Sequence, residues 1–226
     1  MRPTTRWMSR KRFRGSIEVG AGEVLPSEVP HGGADVERGM ESKRINQFAV
    51  VAYVSGPLAE FVNGLRCELT PGCPHRAHVT ILPPRSLSVS AREGTDQMRS
   101  ILERFEPFEV VADGVSVFPG THVLKLTINE GRNELRMLHD ILSTGPFECQ
   151  ENYPYVPHIT LCMGIPEDRV VEFAELATER WQEFGGEARL SVDALTFVQQ
   201  HEDETWADLE EIPIGDVRHQ PVSRRR

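Results

Sequence analysis

Two short segments of the chain place a histidine and a threonine in the same pattern. His78-Val79-Thr80-Ile81 stands in AHVTILPP, and His158-Ile159-Thr160-Leu161 stands in VPHITLCMG, eighty residues further on. Side chains alternate across a strand, so each His shares one face with its Thr while the apolar pair takes the other. The apolar residues can anchor such a strand in a core while the polar pair faces outward. Two of these strands supply two imidazoles and two hydroxyls, a set suited to an oxyanion such as a phosphate. Imidazoles titrate near neutrality, so one can serve as base and the other as acid. A plainer reading makes both segments buried strands with a satisfied core His. In a chain with eight His, one match is unremarkable, but two matches amid similar surroundings favour chemistry.

The surroundings that must position these residues repeat. Phe48 to Val54 reads as a buried strand, broken by Gly56-Pro57, where Pro57 suits a first helical turn. Leu58, Phe61, Val62 and Leu65 then recur at helical spacing before the first motif strand, which stops at Pro83-Pro84. A helix ending near Phe105 follows, then a strand-like stretch from Phe108 to Val117, broken at Asp113-Gly114, and a strand from His122 to Ile128. The second unit has a helix over 133–142, the second motif strand, a long helix over 166–184, and strands over 190–198 and 205–214. This weak repeat of about 80 residues predicts an α+β fold. In it two antiparallel sheets, related by approximate two-fold symmetry and flanked by outer helices, set the motif strands face to face across a central cleft.

Composition narrows the function classes. At 226 residues, 39% apolar, the chain suits one globular domain, and its net charge of -9 argues against broad binding to a nucleic-acid backbone. No apolar run approaches a membrane span. Cys67, Cys73, Cys149 and Cys162 show no disulfide framework, which predicts reduced thiols in a cytoplasm. Cys67, Cys73, His75 and His78 cluster, but without the paired spacing of a zinc site. Residues 1–44 read as a disordered arm, basic and then rich in Gly and Pro, 45–215 as the domain, and 216–226 as a solvated tail. The basic arm could contact RNA or act as a targeting peptide; the reading preferred here is a dispensable extension.

The phrases His78-Val-Thr-Ile-Leu-Pro-Pro84 and Tyr155-Val-Pro-His-Ile-Thr-Leu161, with the strand–helix order, resemble the 2H phosphoesterase superfamily, and within it the 2′-5′ RNA ligase-like proteins. The resemblance covers roughly residues 45–215. It implies a bilobal fold and metal-independent, cofactor-free phosphodiesterase chemistry on 2′,3′-cyclic phosphate or 2′-5′ phosphodiester groups of RNA ends or small nucleotides. It also implies His78 and His158 as the catalytic pair, with Thr80 and Thr160 contacting phosphate. Opening a cyclic phosphodiester needs an activated nucleophile and a protonated leaving oxygen on opposite sides of phosphorus, a demand that one His from each half meets.

Further candidates come from the strands and loops themselves. Tyr53 and Tyr155 could stack on a base, Lys125 could line the cleft beside Thr127, and Arg85 could meet a phosphate. The expectation is a monomer with a small nucleotide or RNA-end substrate, no obligate protein partner and no membrane. A binding module that holds the same ligands without turnover is the alternative.

Overall fold

Pairing partners for the buried strand near Phe48 come from both halves of the chain. The structure, a computed structural model, describes residues 42–215. Strand β1 (Arg44–Tyr53) pairs antiparallel with β2 (His78–Arg85) on one side and with β7 (Ala194–His201) on the other. Among the described residues the first regular element therefore begins at Arg44, within the stretch assigned to the arm. Most of that arm, and all of the tail, lie outside the described residues. Between β1 and β2 runs helix α1 (Gly56–Leu69), with Pro57 in its first turn. Helix α2 (Ala91–Leu102) opens on a capping box in which Ser90 and Glu93 satisfy each other's main-chain N–H.

The remaining elements are β3 (Phe108–Phe118), β4 (Val123–Ile128), α3 (Arg132–Leu142), β5 (His158–Cys162), α4 (Val170–Glu183), β6 (Arg189–Val192) and β8 (Trp206–Pro213). Asp113-Gly114 does not break β3; it marks a register shift in the pairing with β4. The expected strand over 190–198 is instead two strands, divided at Asp193.

Among the described residues, eight strands form one sheet, in the order β6-β3-β4-β5-β2-β1-β7-β8, with every pair antiparallel. The expectation of two sheets with the motif strands facing across a gap is corrected. The motif strands β2 and β5 are neighbours at the middle of this sheet, with Val79 opposite Ile159. Each repeat also gives a strand to the other: β4 of the first pairs with β5 of the second, and β7 of the second pairs with β1. Apolar alternation fixes the strands' edges, but the choice of partner is tertiary, and the sequence does not carry it.

Helices α1, α2 and α3 bury Leu58, Val62, Met98, Leu102, Leu135 and Leu138 in one core with Val79, Ile81, Ile159 and Leu161. Each of these side chains contributes roughly 1.5–3 kcal/mol by leaving water. A one-residue slip of β2 or β5 would turn its His and Thr into that core, so burial of the apolar pair fixes which way the polar pair faces. The opposite face holds a smaller cluster of Ala49, Val51 and Val198, edged by Tyr53 and Trp206.

Candidate active site

His78 and His158 each stand at the first position of their strand. His78 Nδ1 lies 2.7 Å from the Arg76 carbonyl oxygen, and His158 Nδ1 lies 2.7 Å from that of Val156. A carbonyl only accepts, so Nδ1 carries the proton in both rings and Nε2 is left with its lone pair. The same residue offset thus sets the same tautomer twice.

Thr80 and Thr160 share the face of the two imidazoles, since Val79 and Ile159 between them are fully buried. Tyr53 stands opposite His78, and Thr127 opposite His158. Each imidazole also meets an aromatic ring edge-on: Tyr53 at 6.5 Å between centroids for His78, and Phe118 at 4.8 Å for His158. Each aromatic carries a cation over its face. The Arg76 guanidinium is 3.7 Å from the Tyr53 centroid, and Lys125 Nζ is 3.6 Å from that of Phe118. The two sides differ in their acids. Arg76 pairs with Asp208 at 3.3 Å, and the Tyr53 hydroxyl donates to the same carboxylate at 2.5 Å. Lys125 is buried opposite Thr160.

Burial pushes the His78 imidazole down to about 4, and the positive Arg66 and the neighbouring His75 and His158 push the same way. Burial lowers His158 as well, and the Lys125 ammonium lowers it further. Both rings are therefore neutral near pH 7 before any ligand binds. Burial lowers Lys125, and burial together with Asp208 raises Tyr53 to about 12.

Two candidates fall elsewhere. Arg85 is buried on the helix-covered side, opposite Phe48, beyond two register shifts in the β1–β2 pairing. Its guanidinium donates to the Phe147 carbonyl at 2.7 Å and pairs with Glu151 at 2.5 Å, so it is an internal strut and not a phosphate contact. Tyr155 stacks flat on His139, with centroids 4.0 Å apart, and its hydroxyl donates to the Thr80 carbonyl at 2.8 Å. Both its ring and its hydroxyl are engaged within the fold, which corrects the expectation of base stacking.

Sequence reasoning missed Arg66. It sits in α1 amid ordinary helical spacing, where a lone Arg reads as a solvated charge, but it is only 3% exposed. Its guanidinium donates to the carbonyls of Thr160, His75 and Arg76. Among the described residues no three His, Cys, Asp or Glu side chains converge as a metal ion would require. Nor, among these residues, is any helix long and apolar enough to cross a membrane.

The fold is an α+β one, with a twin-histidine, twin-threonine face at the centre of an antiparallel sheet backed by helices. The model of the 2′-5′ RNA ligase superfamily matches residues 55–204, and the chain belongs to that family. A protein of Oceanobacillus iheyensis that carries the provisional name of phosphoesterase is 26% identical, over 75% of this chain and 98% of its own. A Bacillus cereus protein with the same kind of name is 25% identical, over 75% of this chain and 97% of its own. Among solved structures, E. coli LigT in its apo form matches with a TM-score of 0.51 at 17% identity, over 78% of this chain and 99% of its own. Usb1 of Kluyveromyces marxianus matches with a TM-score of 0.50 at 13% identity, over 75% of this chain and 98% of its own. These likenesses support the fold.

Proposed function

We propose that the chain is a metal-independent phosphodiesterase that opens 2′,3′-cyclic phosphate or 2′-5′ phosphodiester groups of RNA ends or small nucleotides, with His78 and His158 as general acid and base. The observation that carries this reading is the pair of imidazoles on one face of adjacent strands, each with Nδ1 bound to a carbonyl and Nε2 left for chemistry. In hydrolysis, one neutral imidazole takes a proton from water as the water oxygen bonds to phosphorus. The other imidazole, protonated, gives its proton to the ribose oxygen as the old P–O bond breaks. Because burial keeps both rings neutral without ligand, the acid gains its proton together with the anionic substrate, whose charge offsets the desolvation. The Thr80 and Thr160 hydroxyls and the Lys125 ammonium hold the non-bridging oxygens and the charge that gathers on them. E. coli LigT has been solved with 3′-AMP, which supports a nucleotide as the substrate class here. The working form is a monomer in a cytoplasm.

The test is turnover of a panel of 2′,3′-cyclic nucleotides and 2′-5′ dinucleotides, with product regiochemistry identified and a chelator present throughout. His78→Ala and His158→Ala each lower kcat by about 10²–10⁴-fold while the fold persists, the range that one acid or base supplies. Equal affinity for cyclic and ring-opened nucleotides, with no product from the wild type, makes the chain a nucleotide-binding module instead. Near-wild-type turnover by either variant removes the two-histidine mechanism.

A further inference from the structure

The junction between β2 and β5, where both imidazoles stand, has a single backbone register pair, Val79 with Ile159. Two side chains grip the main chain around that junction, and each comes from the half that does not own the carbonyl it holds. Arg66 of the first repeat donates to the Thr160 carbonyl through Nε at 2.9 Å and Nη2 at 2.5 Å. Tyr155 of the second repeat donates its hydroxyl to the Thr80 carbonyl at 2.8 Å.

Both grips are rigid at their roots. Arg66 Nη1 also donates to His75 O at 3.1 Å and Arg76 O at 2.8 Å, and Arg76 O is the carbonyl that accepts the His78 Nδ1 proton. One planar guanidinium therefore ties the main chain that orients His78 to the main chain of Thr160. Lysine, with one point of charge, could not hold three carbonyls in that fixed fork. On the other side, the Tyr155 ring lies 3° from parallel with His139. His139 is held in turn by Glu151 at 3.0 Å and Asp140 at 2.9 Å, and Glu151 pairs with the buried Arg85. Burial raises the Tyr155 phenol, so it remains a donor throughout the working range.

We propose that Arg66 and Tyr155 are a reciprocal pair of positioning residues that fix the separation and aim of the two imidazoles, each by holding the threonine carbonyl of the opposite motif. The inference rests on the reading of His78 and His158 as an acid–base pair. With a junction so thinly paired in its backbone, these side chains set how far His78 stands from His158. In-line displacement tolerates little error in that distance; misplacement by an ångström can cost about a hundredfold in rate.

The experiment uses the full chain and the variants Tyr155→Phe and Arg66→Lys. Tyr155→Phe removes one oxygen and keeps the stacked ring, so it remains informative if Arg66→Lys fails to fold. Two readouts are taken: kcat and KM on a 2′,3′-cyclic nucleotide, and the imidazole δ-proton and nitrogen resonances of His78 and His158. We expect kcat to fall about tenfold in Tyr155→Phe and about a hundredfold in Arg66→Lys, with KM within twofold of wild type. We expect the His78 signals to move in Arg66→Lys and those of His158 in Tyr155→Phe. A lower melting temperature with kcat within twofold of wild type and unmoved imidazole signals overturns the proposal, because that is what a merely structural role gives. If the wild type turns over no cyclic nucleotide, the proposed function fails, and the resonances alone decide: unmoved signals in folded Tyr155→Phe overturn the clamp, and moved signals support it.

Discussion

His78 stands across the β2–β5 junction from Thr160, and Thr80 stands across it from His158, because Val79 lies opposite Ile159 in an antiparallel pair. The register thus sets each imidazole across from the threonine of the other motif. Removing either hydroxyl without changing shape should disturb chemistry and leave packing alone. Thr80→Val and Thr160→Val are expected to lower kcat by roughly 10²-fold, the scale set by loss of one oxyanion donor, with melting temperatures near wild type. Steady-state kinetics on a 2′,3′-cyclic nucleotide checks this, and unchanged kcat in both variants removes the hydroxyls from the phosphate site.

The depressed histidines tie stability to pH. His78 titrates near 4 when folded, against an ordinary 6.5, and His158 and His75 are shifted in the same direction. Between those values the unfolded chain binds protons that the folded chain refuses, so unfolding is favoured as the solution becomes more acidic. The contribution is complete above about pH 6.5 and is lost as the pH falls toward 4. Residual exposure of the ring tempers it to about 2 kcal/mol for His78. Urea unfolding should therefore show a lower midpoint at pH 5 than at pH 7.5, and His78→Gln should flatten that slope. A slope unchanged in the variant assigns the dependence to other groups.

Lys125 holds its charge over Phe118 and opposite Thr160, and the proposed function has that charge meet the phosphate. Lys125→Met keeps the stem and removes the charge. The affinity for inorganic phosphate, followed by titration, should weaken about tenfold, in line with one charge-assisted hydrogen bond. The His158 pKa should rise in the same variant, since the Lys125 ammonium lowers it. Wild-type phosphate affinity in Lys125→Met places the ammonium outside the ligand site.

Arg85 separates a structural strut from a binding residue. It pairs with Glu151 on the helix-covered side, and its side chain is 2% exposed. Arg85→Ala leaves Glu151 without its guanidinium partner, which costs about 3–5 kcal/mol of stability. KM for a cyclic nucleotide, corrected for the folded fraction, should not change. Denaturant unfolding alongside kinetics distinguishes these outcomes, and a raised KM with intact stability would return Arg85 to the phosphate.

Much of this was legible because the motifs follow a period of two. His78, Thr80, His158 and Thr160 share a face for the same reason that Val79, Ile81, Ile159 and Leu161 share the other. Tyr53 and Lys125 reach that face through plain strand alternation as well. Arg85 and Tyr155 were misread because nearness in sequence to a motif does not fix the side of the sheet. Arg85 has the parity of the buried Val79 and Ile81, and Tyr155 precedes its strand, where alternation does not apply. Arg66 left no local mark, since its value comes from carbonyls up to 94 residues away. The single sheet was hidden for a related reason: apolar alternation in β1 gives no hint that β7 is its partner.

The exchange of strands between the repeats has a temporal consequence. On the ribosome, β1 and β2 emerge early, yet β1 keeps a raw edge until β7 follows it out, some 140 residues later. The first half of the molecule cannot finish its own sheet before β7 is made, because β1 lies between β2 and β7. Folding governed by such distant partners is slow. A chain interrupted before Ala194 would expose β1 to any other strand at hand.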